Sequence, residues 1–146
     1  KIALKIPLPS PCSRIFWSPQ GSYYTLLSER SLQVYQTDGA SLVLDFKPEK
    51  RLNFGLFMSE SKLLVGGEGS QMHCYSLEDK QWTPIETTHT PRIKDAATYT
   101  VNGMVFVVTG SSDGKIILWR YTDGRMTRIA SHESKLRITC ISLTSQ

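Results

Sequence analysis

Short apolar runs separated by turn residues recur along the whole chain. In the clearest of them, two apolar segments between Val107 and Trp119 flank a Ser-Asp-Gly turn. Asp113 can hydrogen-bond its own backbone and Gly114 tolerates a positive φ, so the pattern predicts a β-hairpin. The β-branched and large apolar residues on both sides suit strands buried on both faces. No segment shows the period of an amphipathic helix bounded by helix caps.

Two markers of this pattern repeat with a period near 40 residues. Hairpins that close on an aromatic residue end at Tyr35, Tyr75 and Trp119, which lie 40 and 44 residues apart. The strands ahead of the hairpins begin at arginines spaced by 37, 41 and 45 residues: Arg14, Arg51, Arg92 and Arg137. Four short antiparallel strands in each period are typical of a β-propeller blade.

The predicted fold class is therefore all-β, with about three propeller blades and flanking strands. The blades are expected at residues 9–47, 48–88 and 89–131, residues 136–143 as the first strand of a following blade, and residues 1–6 as the last strand of a preceding one. In the third blade the strands are expected at 93–101, 104–110, 115–120 and 125–130. Three blades would leave open sheet edges, so we expect the remaining blades of a larger ring to come from the rest of a parent chain.

The best hairpin resembles the WD-repeat family, although Arg120 stands where many members have the Asp of the name. The resemblance implies a seven-bladed ring. It also implies a buried structural hydrogen-bond set formed by His89, Thr109, Asp113 and Trp119. Only the third blade has all four residue types, so the other two are expected to be held mainly by packing.

A closer resemblance covers nearly the whole chain. The runs Phe16-Trp17-Ser18-Pro19-Gln20-Gly21, Arg92-Ile93-Lys94-Asp95 and Arg137-Ile138-Thr139-Cys140 occur in the order and spacing found in the C-terminal half of the PAK-interacting WD-repeat family, known in fungi as maintenance-of-killer ribosome factors. This resemblance implies a scaffold in assembly of the large ribosomal subunit and in pre-rRNA processing. It further implies a nuclear and nucleolar location, with pre-ribosomal assembly factors as protein partners. Animal members are also described as negative regulators of the p21-activated kinase.

Composition adds little chemistry to this prediction. The 146 residues are 40% hydrophobic and 21% charged, as in globular proteins, and the net charge of +4 weakly favours an anionic partner such as RNA or an acidic protein surface. Cys12, Cys74 and Cys140 have no metal-ligand spacing and are interpreted as reduced structural thiols. The histidines and serines form no catalytic motif, and Gly66-Gly67-Glu68-Gly69 is followed by no helix that would make it a phosphate loop. We therefore expect no enzyme activity, no cofactor, no metal and no membrane segment.

The arginines that begin each repeat are the candidate binding residues. If they are equivalent in successive blades, symmetry places them on one rim around the central channel, with two lysines from the same loops. We call this set the arginine rim: Arg14, Arg51, Arg92, Arg137, Lys50 and Lys135. It is predicted to contact RNA phosphates or an acidic protein segment. The competing interpretation pairs each arginine with a carboxylate of a neighbouring blade.

The sequence thus predicts a non-catalytic scaffold that docks protein or RNA partners in large-subunit assembly. One alternative is a signalling regulator that binds and inhibits a p21-activated protein kinase. Another is an enzyme built on a propeller, which would place acidic or histidine side chains at the channel mouth.

Overall fold

The computed structural model of the chain describes residues 5–8 and 10–144. Twelve strands form three four-stranded antiparallel sheets, each composed of strands consecutive in the sequence. The first sheet contains β1 (Cys12–Trp17), β2 (Tyr23–Ser28), β3 (Ser31–Gln36) and β4 (Leu42–Phe46). The second contains β5 (Leu52–Ser59), β6 (Lys62–Gly67), β7 (Gln71–Ser76) and β8 (Gln81–Glu86). The third contains β9 (Ile93–Val101), β10 (Met104–Ser111), β11 (Lys115–Thr122) and β12 (Arg125–Glu133).

This all-β architecture, consistent with the blades of a partial β-propeller, confirms the predicted fold class. The first strands of the sheets lie nearest one another, since β5 contacts both β1 and β9. The fourth strands lie on the outside, and most of β12 is exposed. The only helical segment among the described residues is a single 3₁₀ turn at Asp38–Ala40.

Turn chemistry accounts for the hairpins that the sequence predicts. Asn102 and Gly103 have φ values of 50° and 75°, and Asp123 and Gly124 have φ values of 49° and 78°. Two consecutive positive φ values define the type I′ turn, whose twist matches that of the flanking strands. These two-residue turns fix the register of β9 on β10 and of β11 on β12.

Two apolar layers hold the sheets together, because each sheet has side chains on both faces. Between the first and second sheets the layer includes Leu27, Val34 and Phe57. Between the second and third sheets it includes Phe54 and Trp119. A smaller cluster on the far face of the first sheet contains Tyr24, Leu26 and Tyr35, against which Ile6 and Leu8 pack.

The structure corrects the prediction at both ends of the chain. Residues 136–143, predicted as the first strand of a following blade, form no strand, since none of the three described sheets offers them a strand to pair with. Residues 1–4 of the predicted first strand lie outside the described residues, and Lys5 and Ile6 are irregular. Strand β12 continues to Glu133, beyond its predicted end at residue 130, so His132 lies on a strand.

The segment after β12 nevertheless packs closely on the third sheet. Its Ile141 N–H donates to Asp95 Oδ2 at 3.0 Å. A methyl group added at Gly110 would lie 2.8 Å from side-chain carbons of Ile138 and Ile141. The absence of a side chain at Gly110 therefore lets this segment lie against β10.

No helix in the described part of the chain is both long and apolar enough to cross a membrane.

Candidate functional site

The four residues of the predicted hydrogen-bond set lie together in the third sheet, and Ser111 joins them. Thr109 Oγ1 lies 2.8 Å from Trp119 Nε1 and 2.7 Å from His89 Nε2. On the other side of the imidazole ring, His89 Nδ1 lies 2.8 Å from Ser111 Oγ. The Ser111 hydroxyl in turn contacts Asp113 Oδ1. One continuous chain of hydrogen bonds thus crosses the sheet from β11 to the turn after β10.

For a neutral imidazole, the chemistry of the two ends gives each hydrogen bond in this chain a direction. An indole N–H can only donate and a carboxylate can only accept. Trp119 therefore donates to Thr109, Thr109 to His89 Nε2, His89 Nδ1–H to Ser111, and Ser111 to Asp113. The arrangement requires a neutral imidazole protonated at Nδ1, and every polar group along it has a partner.

The environment favours these protonation states. The pKa of His89 is lowered to about 4, chiefly by burial; the Asp113 carboxylate acts in the opposite direction, and the Lys115 ammonium adds to the lowering. Burial alone would raise the pKa of Asp113, but hydrogen bonds from Ser111, Lys115 and Thr90 hold it well below its ordinary range. At neutral pH, then, the set contains a neutral histidine and an ionised aspartate.

Two members of this arrangement were missed by sequence reasoning. Ser111 lies two residues after Thr109 on the same strand, so both side chains point to the same face. That spacing could have identified it. Thr90 donates from its backbone and from its hydroxyl to Asp113 Oδ2, at 3.1 and 2.9 Å. Its role depends on how the connector after β8 folds, for which the sequence carries no separate signal.

Arg14, which was predicted to be equivalent to the other arginines, occupies a different position. Arg51 and Arg92 each precede the first strand of their sheet, whereas Arg14 lies inside β1. An irregularity in the pairing between Cys12 and Arg14 shifts the register there. Its guanidinium reaches across to the third sheet and binds Asp95 Oδ1 at 2.9 Å.

Three of the six residues of the arginine rim form ion pairs with carboxylates. Besides the Arg14–Asp95 pair, Arg51 lies 3.1 Å from Glu29 and Arg92 lies 3.4 Å from Glu68. Glu29 and Glu68 belong to the β2–β3 and β6–β7 turns, so each of these pairs links one sheet to the preceding one. This is the competing arrangement considered for the arginines. It offsets much of the positive charge on that side.

The other three rim residues form no ion pair with any described carboxylate. Lys135 and Arg137 are exposed in the segment after β12. The Lys50 ammonium lies near Gly69 at the edge of a cleft between the first and second sheets. The six residues are thus divided between ion pairs, an exposed segment and a cleft.

Metal-binding geometry is absent from the described residues, where no group of three or more His, Cys, Asp or Glu side chains could hold an ion. Cys12, Cys74 and Cys140 are all free thiols. Burial raises the pKa of Cys74, which makes its thiol a poor nucleophile. The described site therefore consists of a buried hydrogen-bond set, surface ion pairs and a cleft.

The fold and the site define a segment of a propeller-like, blade-forming β protein with one fully hydrogen-bonded blade. No family model matches the chain. It is 28% identical over 133 residues to the p21-activated protein kinase-interacting protein 1-like of Gallus gallus, which covers 88% of this chain and 36% of that protein. It is 26% identical over 130 residues to the p21-activated protein kinase-interacting protein 1 of Homo sapiens, covering 87% of this chain and 33% of that protein.

The Xenopus laevis protein of the same kind is 27% identical over 135 residues, covering 88% of this chain. The chain thus spans about a third of the length of these curated relatives. Among solved structures, the computationally designed Ika4 protein shares the fold, with a TM-score of 0.73 and 15% identity over 95% of this chain and 83% of that one. The similarity is therefore to proteins whose names describe binding to a kinase.

Proposed function

We propose that this chain is part of a non-catalytic WD-repeat scaffold that docks protein partners, and that a p21-activated protein kinase is one of them. The observation that carries this proposal is the similarity to p21-activated protein kinase-interacting proteins over 87–88% of the chain. Rigid sheets with exposed turns suit a docking role, because turns can vary in sequence without disturbing the core. The site geometry supports it by offering contact surfaces and ion pairs.

Binding to the kinase is tested with purified components. The 146-residue chain is immobilised and the regulatory and catalytic halves of a p21-activated kinase are passed over it separately. We expect one half of the kinase to bind saturably. We expect no enzymatic turnover by the chain itself that depends on phosphorylation. No binding of either half, in a preparation whose circular dichroism shows folded β-sheet, would refute the kinase proposal.

We further propose a role in assembly of the large ribosomal subunit, with a nucleolar location. It is supported by the motif order from Phe16 to Cys140 and by the net charge of +4. Affinity purification of the tagged full-length parent protein should then recover pre-ribosomal RNA and assembly factors, and a fluorescent fusion should concentrate in the nucleolus. Recovery of the kinase without pre-ribosomal RNA would favour the signalling role.

The arginine rim enters this second role as a testable contact surface. Reversing the charges of Arg51, Arg92 and Arg137 together should weaken pre-ribosome association if the rim contacts RNA or an acidic segment. Because Arg51 and Arg92 are already paired with carboxylates, the double exchange Glu29→Arg/Arg51→Glu serves as the matched control. It preserves the ion pair while moving the positive charge to the other sheet.

A further inference from the structure

The second sheet lacks the hydrogen-bond set of the third sheet, and an open cleft lies in its place. The two sheets can be compared by register: Gly66 pairs with Phe54, three residues after Arg51, and Gly110 pairs with Asp95, three residues after Arg92. With this alignment, four residues of the hydrogen-bond set in the third sheet correspond to residues of the second sheet whose side chains cannot form the same hydrogen bonds. They are Pro48 for His89, Val65 for Thr109, Gly67 for Ser111 and Gly69 for Asp113.

The cleft has a volume of about 630 Å³ and is lined by these same replacements. In the third sheet the connector before the first strand inserts His89, which is fully buried and fills the corresponding space. In the second sheet none of the connector residues 47–51 is buried, so no side chain takes the position of His89. A cleft of this size accommodates one or two large side chains of a ligand.

Aromatic side chains form the apolar wall of the cleft. The centroid of the Trp82 ring lies 4.5 Å from the centroid of the Phe46 ring and 4.7 Å from that of the Tyr75 ring. Both ring pairs are tilted. His73 meets the Trp82 ring edge-on at 6.4 Å. Trp82 and Phe46 are only partly buried, so part of their surface is available to a ligand. Such a wall favours an inserted aromatic or large aliphatic side chain.

Positive charge lies along the connector that covers the cleft. Lys47 and Lys50 line it, and neither forms an ion pair with any carboxylate of the described residues. Of the lining carboxylates, Glu68 already binds Arg92, which leaves Glu49 on the connector itself. The cleft therefore presents two available ammonium groups beside an apolar wall.

These features favour a peptide over a nucleic acid as the occupant. Phosphates are best bound by the planar fork of an arginine, and Arg51, the arginine of this cleft, is already paired with Glu29. The Gln71 amide, which could read a base edge, donates to Glu86. Lysines act as point charges and bind flexible carboxylates as well as they bind phosphates.

We infer that this cleft, which we call the blade-two cleft, binds an acidic peptide segment of a partner protein. An aromatic or large apolar side chain of the segment inserts against Trp82 and Phe46, where the third sheet has its buried histidine. Carboxylates on either side of that residue pair with Lys47 and Lys50. This inference rests on the proposed docking function, and it identifies one surface and the chemistry of the segment that the surface accepts.

The test is a selection from a random linear peptide library displayed on phage, with the 146-residue chain as the target. The charge reversal Lys47→Glu/Lys50→Glu is compared with Lys80→Glu/Arg125→Glu, which changes the net charge equally at exposed positions outside the cleft. We expect the enriched peptides to place acidic residues around an aromatic or large apolar one. Their affinity should fall about tenfold or more in the cleft variant and stay unchanged in the control.

Three results would overturn the inference: no enriched acidic sequence, equal loss of affinity in both variants, or binding of a single-stranded RNA oligonucleotide at the cleft in place of any peptide. Thermal unfolding of both variants shows whether they are folded, and a shift of the Trp82 indole N–H signal on peptide addition reports insertion at the wall. Kinase binding is measured separately. Kinase binding without selection of acidic peptides would support the docking proposal and reject the cleft as a binding site for an acidic peptide.

Discussion

At the scale of single residues, the third sheet depends on a histidine that must stay neutral. His89 is fully buried, and its two ring nitrogens are held by Thr109 and Ser111 in opposite hydrogen-bonding roles. Protonation would place a second donor at Nε2, where the Thr109 hydroxyl already donates. It would also place a charge in a buried site, which is costly unless the charge is paired.

The lowered pKa of His89 makes the stability of the chain depend on pH. The folded pKa of about 4 lies below the ordinary value of 6.5, so the unfolded chain binds more protons between these values. The stabilisation is therefore complete above pH 6.5 and decreases as the pH falls. Between pH 7 and pH 4 we expect the free energy of unfolding to drop by about 3 kcal/mol from this group alone.

Urea unfolding at several pH values measures this effect. In a His89→Asn variant the pH dependence in this window should largely disappear, whereas a variant of the strand residue His132, His132→Asn, should retain it. An identical pH profile in the wild type and the His89 variant would contradict the assignment of a neutral, buried imidazole.

Thr109 is the residue on which the hydrogen-bond chain depends most. Its hydroxyl accepts from Trp119 and donates to His89, so Thr109→Val leaves two buried polar groups without a partner. We expect a loss of about 2–3 kcal/mol in unfolding free energy. The matched change is Thr25→Val: Thr25 is equally buried, but its hydroxyl has no hydrogen-bond partner among the described residues. That variant should be as stable as the wild type or more so, and comparable losses in both would show that the network contributes little.

At the scale of strands and sheets, most of the architecture could be predicted because the turns carry strong signals. Asn102-Gly103 and Asp123-Gly124 define hairpins by their dihedral preferences alone, and the strands that they join were placed nearly correctly. The position of Arg14 could not be predicted, because an irregular pairing in β1 changes the register without changing the spacing of residues. The cleft could not be predicted either, since it arises because four positions of the second sheet lack the hydrogen-bonding side chains that the third sheet has.

The segment after β12 shows how close packing can hold a stretch that has no strand partner. Gly110→Ala would place a methyl group 2.8 Å from Ile138 and Ile141, too close for either side chain to remain in place. We expect the segment to detach from β10 while the third sheet stays folded. Hydrogen exchange separates the two effects: the Ile141 amide, now bonded to Asp95, should exchange much faster, and the Val107 amide within β10 should not. Equal acceleration at both amides would mean that the whole sheet, and not the segment, depends on Gly110.

At the scale of the whole molecule, apolar layers and ion pairs join neighbouring sheets, and the Arg14–Asp95 ion pair joins the first and third sheets. Arg14 and Asp95 are 81 positions apart in the sequence, and the Asp95 side chain is 95% buried. Two backbone amides, those of Ala96 and Ile141, also donate to its carboxylate at 3.0 Å. Asp95 therefore joins the first sheet, the third sheet and the segment after β12.

Removing Arg14 should for this reason cost more than removing an arginine whose ion pair is exposed. In Arg14→Gln the Asp95 carboxylate stays buried with its two amide donors but without its counterion, and we expect a loss of about 1–2 kcal/mol in the free energy of unfolding. Arg51→Gln breaks a pair in which both side chains are more than half exposed, and should change that free energy by less than about 0.5 kcal/mol.

Urea unfolding at low and high salt measures both values. High salt should reduce the small effect at Arg51 more than the effect at Arg14, because the Asp95 carboxylate is buried and a partly buried pair is screened less. Equal losses at the two positions, both removed by salt, would show that the ion pair between the first and third sheets does not help to hold the sheets together.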